Sequence, residues 1–235
     1  MGTEGLFFVQ KGTEAFSFAK SLRPHLIVAI LPAMRIPLTL MLTLLLSACV
    51  SSRPANPTNV CSMFEDRRSW YRAAERTEER WDVPVAVTMA FIYQESGFRA
   101  RARPERTRLL GFIPWTRPST ARGYAQALNT TWDEYRSETG NFLARRSKFA
   151  DAVDFVGWYN HNSFRRNQIG RNDARNLYLA YHEGHTGFNR GTYRDKAWLL
   201  PVAERVQQNA SRYARQYAAC EQELGRNWFR RWLGV

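Results

Sequence analysis

Glu95 is the residue whose type and setting best suit acid–base chemistry. It follows the apolar segment 85–93, whose composition predicts a helix buried on most sides. A carboxyl group at the end of such a helix is partly removed from water, which raises its pKa because the charged form is disfavoured. Such an acid can protonate a poor leaving group, for example a glycosidic oxygen. Judged by position alone, a glutamate at a helix end is more often solvated or capping.

Two histidines beside Glu183 have some of the chemistry of a metal site. A zinc-binding helix places histidines at positions i and i+4 on one face. His182 and His185 are instead three residues apart, with Gly184 between them, and few other ligands are evident. We therefore expect no metal, and nothing in the sequence indicates a cofactor.

The elements that must position these residues are predicted to be helices almost throughout. From Cys61 onwards, apolar residues recur at spacings of three and four with charged residues between them, so the expected fold class is all-α. Asp82 and Pro84 are typical of a helix start, and Gly97 of a helix stop. After an Arg- and Pro-rich loop over 99–122, we predict helices from about 124, over 132–139, 148–159, 173–183 and 195–224, with a polar loop over 160–172.

The N-terminal part of the chain has the pattern of an export signal. Residues 36–48 carry no charge, and the run is too short for a membrane-spanning helix of about 20 residues. The tetrapeptide 46–49 (LSAC), which includes the end of this run, resembles the lipobox of bacterial lipoproteins. In such a lipobox Cys49 would become the lipidated first residue. We predict a signal peptide over 1–48, a linker over 49–60 and one domain over 61–235. A start at Met34 is an open alternative that would make 1–33 a misassigned extension.

The other two cysteines, Cys61 and Cys220, form an even pair in an exported protein. Oxidising compartments favour disulfides, and this one would join the first helix of the domain to the last. A loop of that length would contribute roughly 4 kcal/mol to stability in the chain-entropy model. Two buried thiols remain the alternative.

The formal net charge of +13 suits a polyanionic partner, although a general bias towards arginine would produce it equally. Only four of the 34 basic residues are lysines. No nucleic-acid recognition motif is visible, and a lipobox does not fit such a binder. We therefore expect no nucleic acid partner, and the sequence does not identify any protein partner.

Three short segments resemble motifs of the lytic transglycosylase family, in the order in which that family has them. They are 94–98 (QESGF), 123–126 (GYAQ) and 180–184 (AYHEG). The resemblance covers roughly residues 81–188. It implies a goose-lysozyme-like helical fold and peptidoglycan glycan strands as the substrate. The implied reaction cleaves between N-acetylmuramic acid and N-acetylglucosamine and leaves a 1,6-anhydro end.

The resemblance also implies roles for single residues. Glu95 would act first as the acid and then as the base. Ser96 would support Glu95 or the sugar by hydrogen bonding, and Gln126 would contact the substrate. Tyr181 would orient or desolvate Glu95, and Gly184 would allow a close approach of the backbone.

The sequence also departs from the family pattern. The Arg-rich segment between the first two motifs is long. One interpretation is that it makes specialised contacts to acidic stem peptides. Tyr124-Ala125 stands where the family has Leu-Met, and the lost methionine would alter a sugar-stacking surface. Glu183 is either a second carboxylate near the cleft, which would permit ordinary hydrolysis, or a residue that faces solvent; the second is favoured.

Two alternatives stay open beside the transglycosylase prediction. One is a lysozyme-type hydrolase with the same fold, and the other is a non-catalytic peptidoglycan-binding lipoprotein. The expected location is exported and lipid-anchored, at the periplasmic face of the outer membrane, because Val50 after the cysteine resembles outer-membrane sorting.

Overall fold

The computed structural model describes residues 53–110, 112–114 and 116–232. The predicted signal segment 36–48, Cys49 and the extension 1–33 lie outside the described residues. In the described part the chain is helical, apart from one pair of two-residue strands, and the all-α prediction is confirmed. The elements are α1 Val60–Asp66, α2 Arg68–Trp81, α3 Val85–Ser96, β1 Arg108–Leu109, β2 Ile113–Pro114, α4 Asn129–Thr139, α5 Phe149–Asn167, α6 Ala174–Arg190, a 3-10 helix Thr192–Asp195 and α7 Leu199–Trp232.

No helix of the described residues is long and apolar enough to span a bilayer.

Helix α3 lies at the centre of the domain. Its first eight residues, 85–92, are all buried, because all but one of them are apolar and neighbours cover the helix on several sides. It packs against α7, α2 and α5. The helix ends at Gly97, as predicted, and so presents Glu95 in its last turn.

A disulfide joins α1 to α7. Cys61 and Cys220 are bonded across a sequence separation of 159 residues, with their Cα atoms 6.1 Å apart. The Gln216 side chain reinforces the junction by accepting from the Val60 N–H (3.0 Å) and donating to the Thr58 carbonyl (3.2 Å). The start of the domain is therefore fixed to its last helix.

An aromatic cluster fixes the turn that contains the second motif. Trp70 of α2 stacks on Phe149 of α5 with 4.0 Å between ring centroids, and Tyr124 meets both rings edge-on. Tyr124 and Ala125 are 3% and 1% exposed, so the residues that replace Leu-Met are buried in the domain and do not form a sugar-stacking surface.

Two predicted segments are wrong. The residues from 124 form a turn instead of a helix, because Gly123 and Gln126 have positive φ values of 83° and 47° and Arg122 bridges Ala127. The predicted polar loop over 160–172 is helical as far as Asn167. Its polar residues misled the prediction because several are buried: Ser163 is 0% exposed, and its hydroxyl donates to the Tyr159 carbonyl.

Asp82 also differs from its prediction. It ends α2 in a left-handed conformation (φ 55°), with its N–H donating to the Glu78 carbonyl, and α3 starts after Pro84. Its carboxylate pairs with Arg171 at 2.7 Å.

Candidate active site

Glu95 combines restricted hydration with partial access to solvent. Its side chain lies in the last turn of α3 and is neither fully buried nor fully exposed. Burial raises the pKa of Glu95 from its ordinary value of 4.5 to about 7, and a hydrogen bond with Tyr178 partly opposes the rise. Near neutral pH this carboxyl group is thus present in both protonation states, as a group that first donates and then accepts a proton requires.

Tyr178 is a site residue that the sequence reasoning missed. It lies on α6, is 5% exposed and packs edge-on against Phe91, one turn before Glu95 in α3. As a hydrogen-bonding neighbour its hydroxyl lowers the pKa of Glu95, and burial together with the Glu95 carboxylate raises the pKa of Tyr178. A signal was present: Tyr178 is three residues before Tyr181, so helical geometry places both on one face.

Tyr181 lies beside Glu95 but bonds elsewhere. Its ring packs edge-on against Phe91 at 5.4 Å and against Tyr159 at 4.9 Å between centroids. Its hydroxyl donates to the Ala125 carbonyl. Burial raises the pKa of Tyr181, and the charge of Glu95 raises it further. The ring therefore helps to exclude water from Glu95, while Tyr178 supplies the orienting hydrogen bond.

Gln126 holds the second motif to the loop that follows α3. Its side-chain amide donates to the carbonyls of Gly123 (2.8 Å) and Ala102 (3.1 Å). The N–H of Gly123 also donates to the Ala102 carbonyl at 2.9 Å. The amide nitrogen of Gln126 is thus engaged with the backbone, and the predicted contact with substrate stays a prediction.

Ser96 forms a hydrogen bond within its own helix. The side chain is 2% exposed, and its hydroxyl donates to the Ile92 carbonyl one turn earlier in α3. A serine at a helix end commonly forms this local bond, because its short hydroxyl reaches the carbonyl at i−4. The hydroxyl is therefore engaged within its own helix, and its predicted bond to Glu95 or the sugar stays a prediction.

Glu183 neither faces solvent nor stands free in the cleft. Its side chain is 3% exposed and accepts from Lys196 Nζ at 2.7 Å, from Thr192 and from His182 Nδ1 at 2.9 Å. Burial would raise the pKa of Glu183, but these three donors more than offset burial and lower it to about 2. The favoured prediction of a solvent-facing side chain is wrong because Thr192 and Lys196, 9 and 13 residues further along the chain, bind the carboxylate.

Gly184 interrupts α6 immediately after this cluster. Its φ of 74° and ψ of 158° lie in a region that only glycine adopts readily, and they kink the helix. A Cβ atom at this position would meet nothing within 4 Å. The kink requires a glycine here, and the predicted close approach of the backbone stays a prediction.

The histidines of the third motif have separate partners. His185 stacks on Tyr159 at 4.6 Å and its Nε2 lies 3.1 Å from the Ser163 hydroxyl, whereas His182 pairs with Glu183. Among the described residues, no group of three or more His, Cys, Asp or Glu side chains is arranged to hold a metal ion.

The electrostatics of Glu95 involve a single carboxyl group. Within the described part of the chain, burial and Tyr178 account for its shifted pKa, and no second carboxylate contributes. Glu183, the second carboxylate considered from the sequence, is held by a lysine. The arrangement can donate and accept one proton at one place, with tyrosines around it.

Comparison with known proteins gives one match. The sequence model described as the transglycosylase SLT domain matches residues 37–220, most of the chain and all three motifs. No curated protein and no solved structure matches it significantly. The match confirms the resemblance drawn from the motifs and, with the helical structure, the lysozyme-like all-α class. The chain therefore belongs to the transglycosylase SLT domain family, that of the SLT-type lytic transglycosylases.

Proposed function

We propose that this protein cleaves the β-1,4 bond between N-acetylmuramic acid and N-acetylglucosamine and leaves a 1,6-anhydro end, with Glu95 as acid and then base. Family membership carries the coarser statement, a transglycosylase domain whose substrate is peptidoglycan. The observation that supports the specific mechanism is the burial of Glu95. Burial brings the pKa of Glu95 to about 7, and no other carboxylate of the described residues acts on it.

The chemistry needs one carboxyl group used twice. Protonated Glu95 gives its proton to the bridging oxygen as the bond to muramic C1 breaks, and the N-acetylglucosamine side departs as an alcohol. The resulting carboxylate then accepts the proton of the muramic C6 hydroxyl, whose oxygen closes onto C1. Glu95 ends protonated, and no water is consumed.

Tyr178 supports the second half of this cycle. Its hydrogen bond favours the charged form of Glu95 and so lowers its pKa against the larger effect of burial. The tyrosine thus acts as a positioning residue that stabilises the carboxylate when it must accept a proton.

The two alternatives have less support. A hydrolase that activates water with a second carboxylate would need Glu183 free, yet this side chain is held by Lys196, Thr192 and His182. A protein that only binds peptidoglycan gains nothing from an acid whose pKa is raised to about 7.

The decisive experiment is mass spectrometry of the products released from purified sacculi. We expect the wild-type protein to release muropeptides that are lighter by one water than reducing-end products, and Glu95→Gln to release none. Glu65→Gln is the matched control, because Glu65 is exposed and its side chain has no hydrogen bond or ion pair within the described residues. Reducing-end products from the wild type would instead establish the hydrolase, and activity in Glu95→Gln would remove Glu95 from its role.

We further propose that the protein is exported and anchored by a lipid at Cys49, facing the periplasm from the outer membrane. The support is the uncharged segment 36–48, the lipobox-like residues 46–49 and the Cys61–Cys220 disulfide, which suits an oxidising compartment. Metabolic labelling with a palmitate analogue should label the wild-type chain, and Cys49→Ala should lose both the label and the membrane fraction. A labelled Cys49→Ala chain would contradict the anchor.

A further inference from the structure

A groove rich in arginine lies between the loop that follows α3 and the segment before α5. It has a volume of about 720 Å³, within the range of ordinary ligand pockets. One aspartate, Asp133, faces six arginines along its lining. We call it the arginine groove; its arginines are Arg101, Arg103, Arg122, Arg136, Arg145 and Arg146.

Arg146 is a buried cation in the lining of the groove, 5.6 Å from the centroid of the Trp132 ring and without a paired carboxylate in the described residues. It is 6% exposed, yet no carboxylate in the described part of the chain pairs with it. One of its terminal nitrogens donates to the carbonyls of Thr120 and Ala127, while its Nε has no partner there. A buried guanidinium without a counter-ion is costly, and a bound anion would relieve that cost.

Its neighbours add to this charge. Burial and the nearby charge of Arg122 both lower the pKa of Arg146, which nonetheless remains protonated because arginine titrates far above neutral pH. Arg101, Arg103 and Arg145 are exposed, and their side chains show no partner in the described residues. Asp133 is already shared with Arg136 at 3.3 Å. The groove therefore presents several guanidinium groups to a ligand.

The arginine groove is connected to the site of Glu95 by a short chain of hydrogen bonds. The carbonyl of Ser96, the residue after Glu95, accepts from the backbone N–H (3.2 Å) and Nε (2.9 Å) of Arg99. The Arg99 carbonyl accepts from Ala102 at 3.3 Å, and Ala102 in turn binds Gly123, both residues lining the groove. The groove is therefore lined by the segment that directly follows the Glu95 motif and by Gly123, the first residue of the second motif.

The remaining lining points to the class of ligand. Phe142 and Leu143 also line the groove and are 62% and 89% exposed, so an apolar edge accompanies the arginines. Guanidinium groups bind carboxylates in a planar, two-pronged geometry. A short peptide offers both carboxylates and aliphatic side chains, whereas a phosphate polymer or a nucleic acid backbone offers charge without matching apolar groups.

We propose that the arginine groove binds the acidic stem peptide that branches from muramic acid beside the bond to be cleaved. The inference rests on the proposed function, because it is the peptidoglycan substrate that brings such a peptide to the neighbourhood of Glu95. In this proposal the Arg-rich segment helps to select glycan that still carries its peptides.

The test compares binding of three probes to the full chain carrying Glu95→Gln, which prevents turnover. The probes are a disaccharide with its tetrapeptide, the same disaccharide without peptide, and an oligomer of glycerol phosphate. The groove variant replaces three exposed arginines by glutamine: Arg101, Arg103 and Arg145. The matched control makes the same change of charge elsewhere, at Arg72, Arg190 and Arg215, which are exposed and without partners in the described residues. Thermal melts establish that both variants fold.

We expect the groove variant to raise the Kd for the peptide-bearing probe by roughly tenfold or more, which corresponds to loss of about 1.4 kcal/mol. Its Kd for the peptide-free disaccharide should stay the same, and the control should change neither. The inference is overturned if the peptide probe does not bind, if both disaccharides lose affinity equally, or if the phosphate oligomer is the probe whose binding depends on these arginines.

The outcomes separate this inference from the proposed function. If the arginines are needed to bind the peptide probe but the wild-type chain releases no anhydro product from sacculi, the proposed function is contradicted and the inference about the groove is supported. The wild type could release anhydro products equally well from strands with and without peptides while the groove variant binds all probes normally. In that case the inference about the groove is contradicted and the proposed function is supported.

Discussion

Tyr178 lowers the pKa of Glu95 as its hydrogen-bonding neighbour, although the two residues lie on different helices and 83 positions apart in the sequence. Burial and this bond act on the pKa of Glu95 in opposite directions. Burial therefore sets most of the shift in the pKa of the proposed catalytic acid, and one neighbour that opposes it can be altered without touching the acid itself.

Tyr178→Phe should shift the pH dependence of activity. Removing the hydroxyl takes away the bond that favours the carboxylate, so the pKa of Glu95 should rise above about 7. A buried hydrogen bond contributes about 1 kcal/mol, so the limb on which activity falls with rising pH should move up by up to about one pH unit. The measurement is kcat/KM against pH on purified glycan strands.

The matched control for this variant is Tyr135→Phe. Tyr135 is also a buried tyrosine whose hydroxyl donates to a carboxylate, that of Asp154 at 2.7 Å. Both variants lose a comparable bond, but only Tyr178→Phe should displace the pH profile. A displacement of equal size in both variants would show that the effect is structural.

Glu95 should also make the stability of the domain depend on pH. Its folded pKa of about 7 lies above the ordinary 4.5, so the folded state holds the proton more tightly between these values. Stability linked to this group is therefore present below pH 4.5 and is lost as the pH rises to about 7, by up to about 3 kcal/mol. Glu95→Gln should gain melting temperature relative to the wild type as the pH rises across this range. A constant difference across the range would contradict the shifted pKa.

Glu183 should have the opposite pH dependence. Its folded pKa of about 2 lies below 4.5, so its contribution is fully present above pH 4.5 and is lost as the pH falls towards 2. Glu183→Gln should reduce the free energy of unfolding at pH 7 by about 2 kcal/mol, because Lys196 loses its buried partner. Denaturant titrations at pH 7 and pH 3 should show a smaller difference at the lower pH.

The products formed by Glu183→Gln bear on mechanism. If Glu183 only stabilises the fold, this variant still releases anhydro muropeptides. Selective loss of a reducing-end product in the variant would instead show that Glu183 activates water.

Gly123→Ala should disrupt the turn that carries the second motif. A Cβ atom there would lie 2.2 Å from the Arg146 carbonyl oxygen, and the residue has a φ of 83°. Since the obstacle is backbone, we expect a loss of about 3 kcal/mol in the free energy of unfolding. Gly140→Ala is the control, because its φ of 70° is similar but nothing lies within 4 Å of the added atom. Its cost should be about 1 kcal/mol. Equal losses in denaturant titrations would show that conformation alone matters.

Reducing the Cys61–Cys220 bond should destabilise the domain without abolishing its proposed chemistry. The bond closes a loop of 159 residues, and loops of that size contribute roughly 4 kcal/mol in the chain-entropy model. Denaturant unfolding of the wild type with and without reductant measures this difference. The double variant Cys61→Ser/Cys220→Ser should match the reduced wild type and should not respond to reductant; a response would point to another cause.

The sequence predicted the setting of Glu95 because that setting is local. An apolar helix that stops at Gly97 is readable from composition and spacing, and so is the burial that follows. Tyr178 was missed because its role depends on α3 and α6 meeting in space, and Lys196 because the chain folds back onto Glu183 after α6. Polar residues such as Ser163 were misread as loop because composition does not show that a hydroxyl bonds its own helix.

The loop that forms the arginine groove is held mainly by contacts to main-chain carbonyl groups. Tyr181 binds the carbonyl of Ala125, Gln126 those of Ala102 and Gly123, and Arg146 those of Thr120 and Ala127. Hydrogen bonds to a main-chain carbonyl group do not depend on the side chain of the residue that carries it. Exchanging exposed residues of the loop, such as Arg101 and Arg103, should therefore leave the geometry around Glu95 unchanged, so that the proposed preference for peptide-bearing glycan can be altered separately from the proposed chemistry.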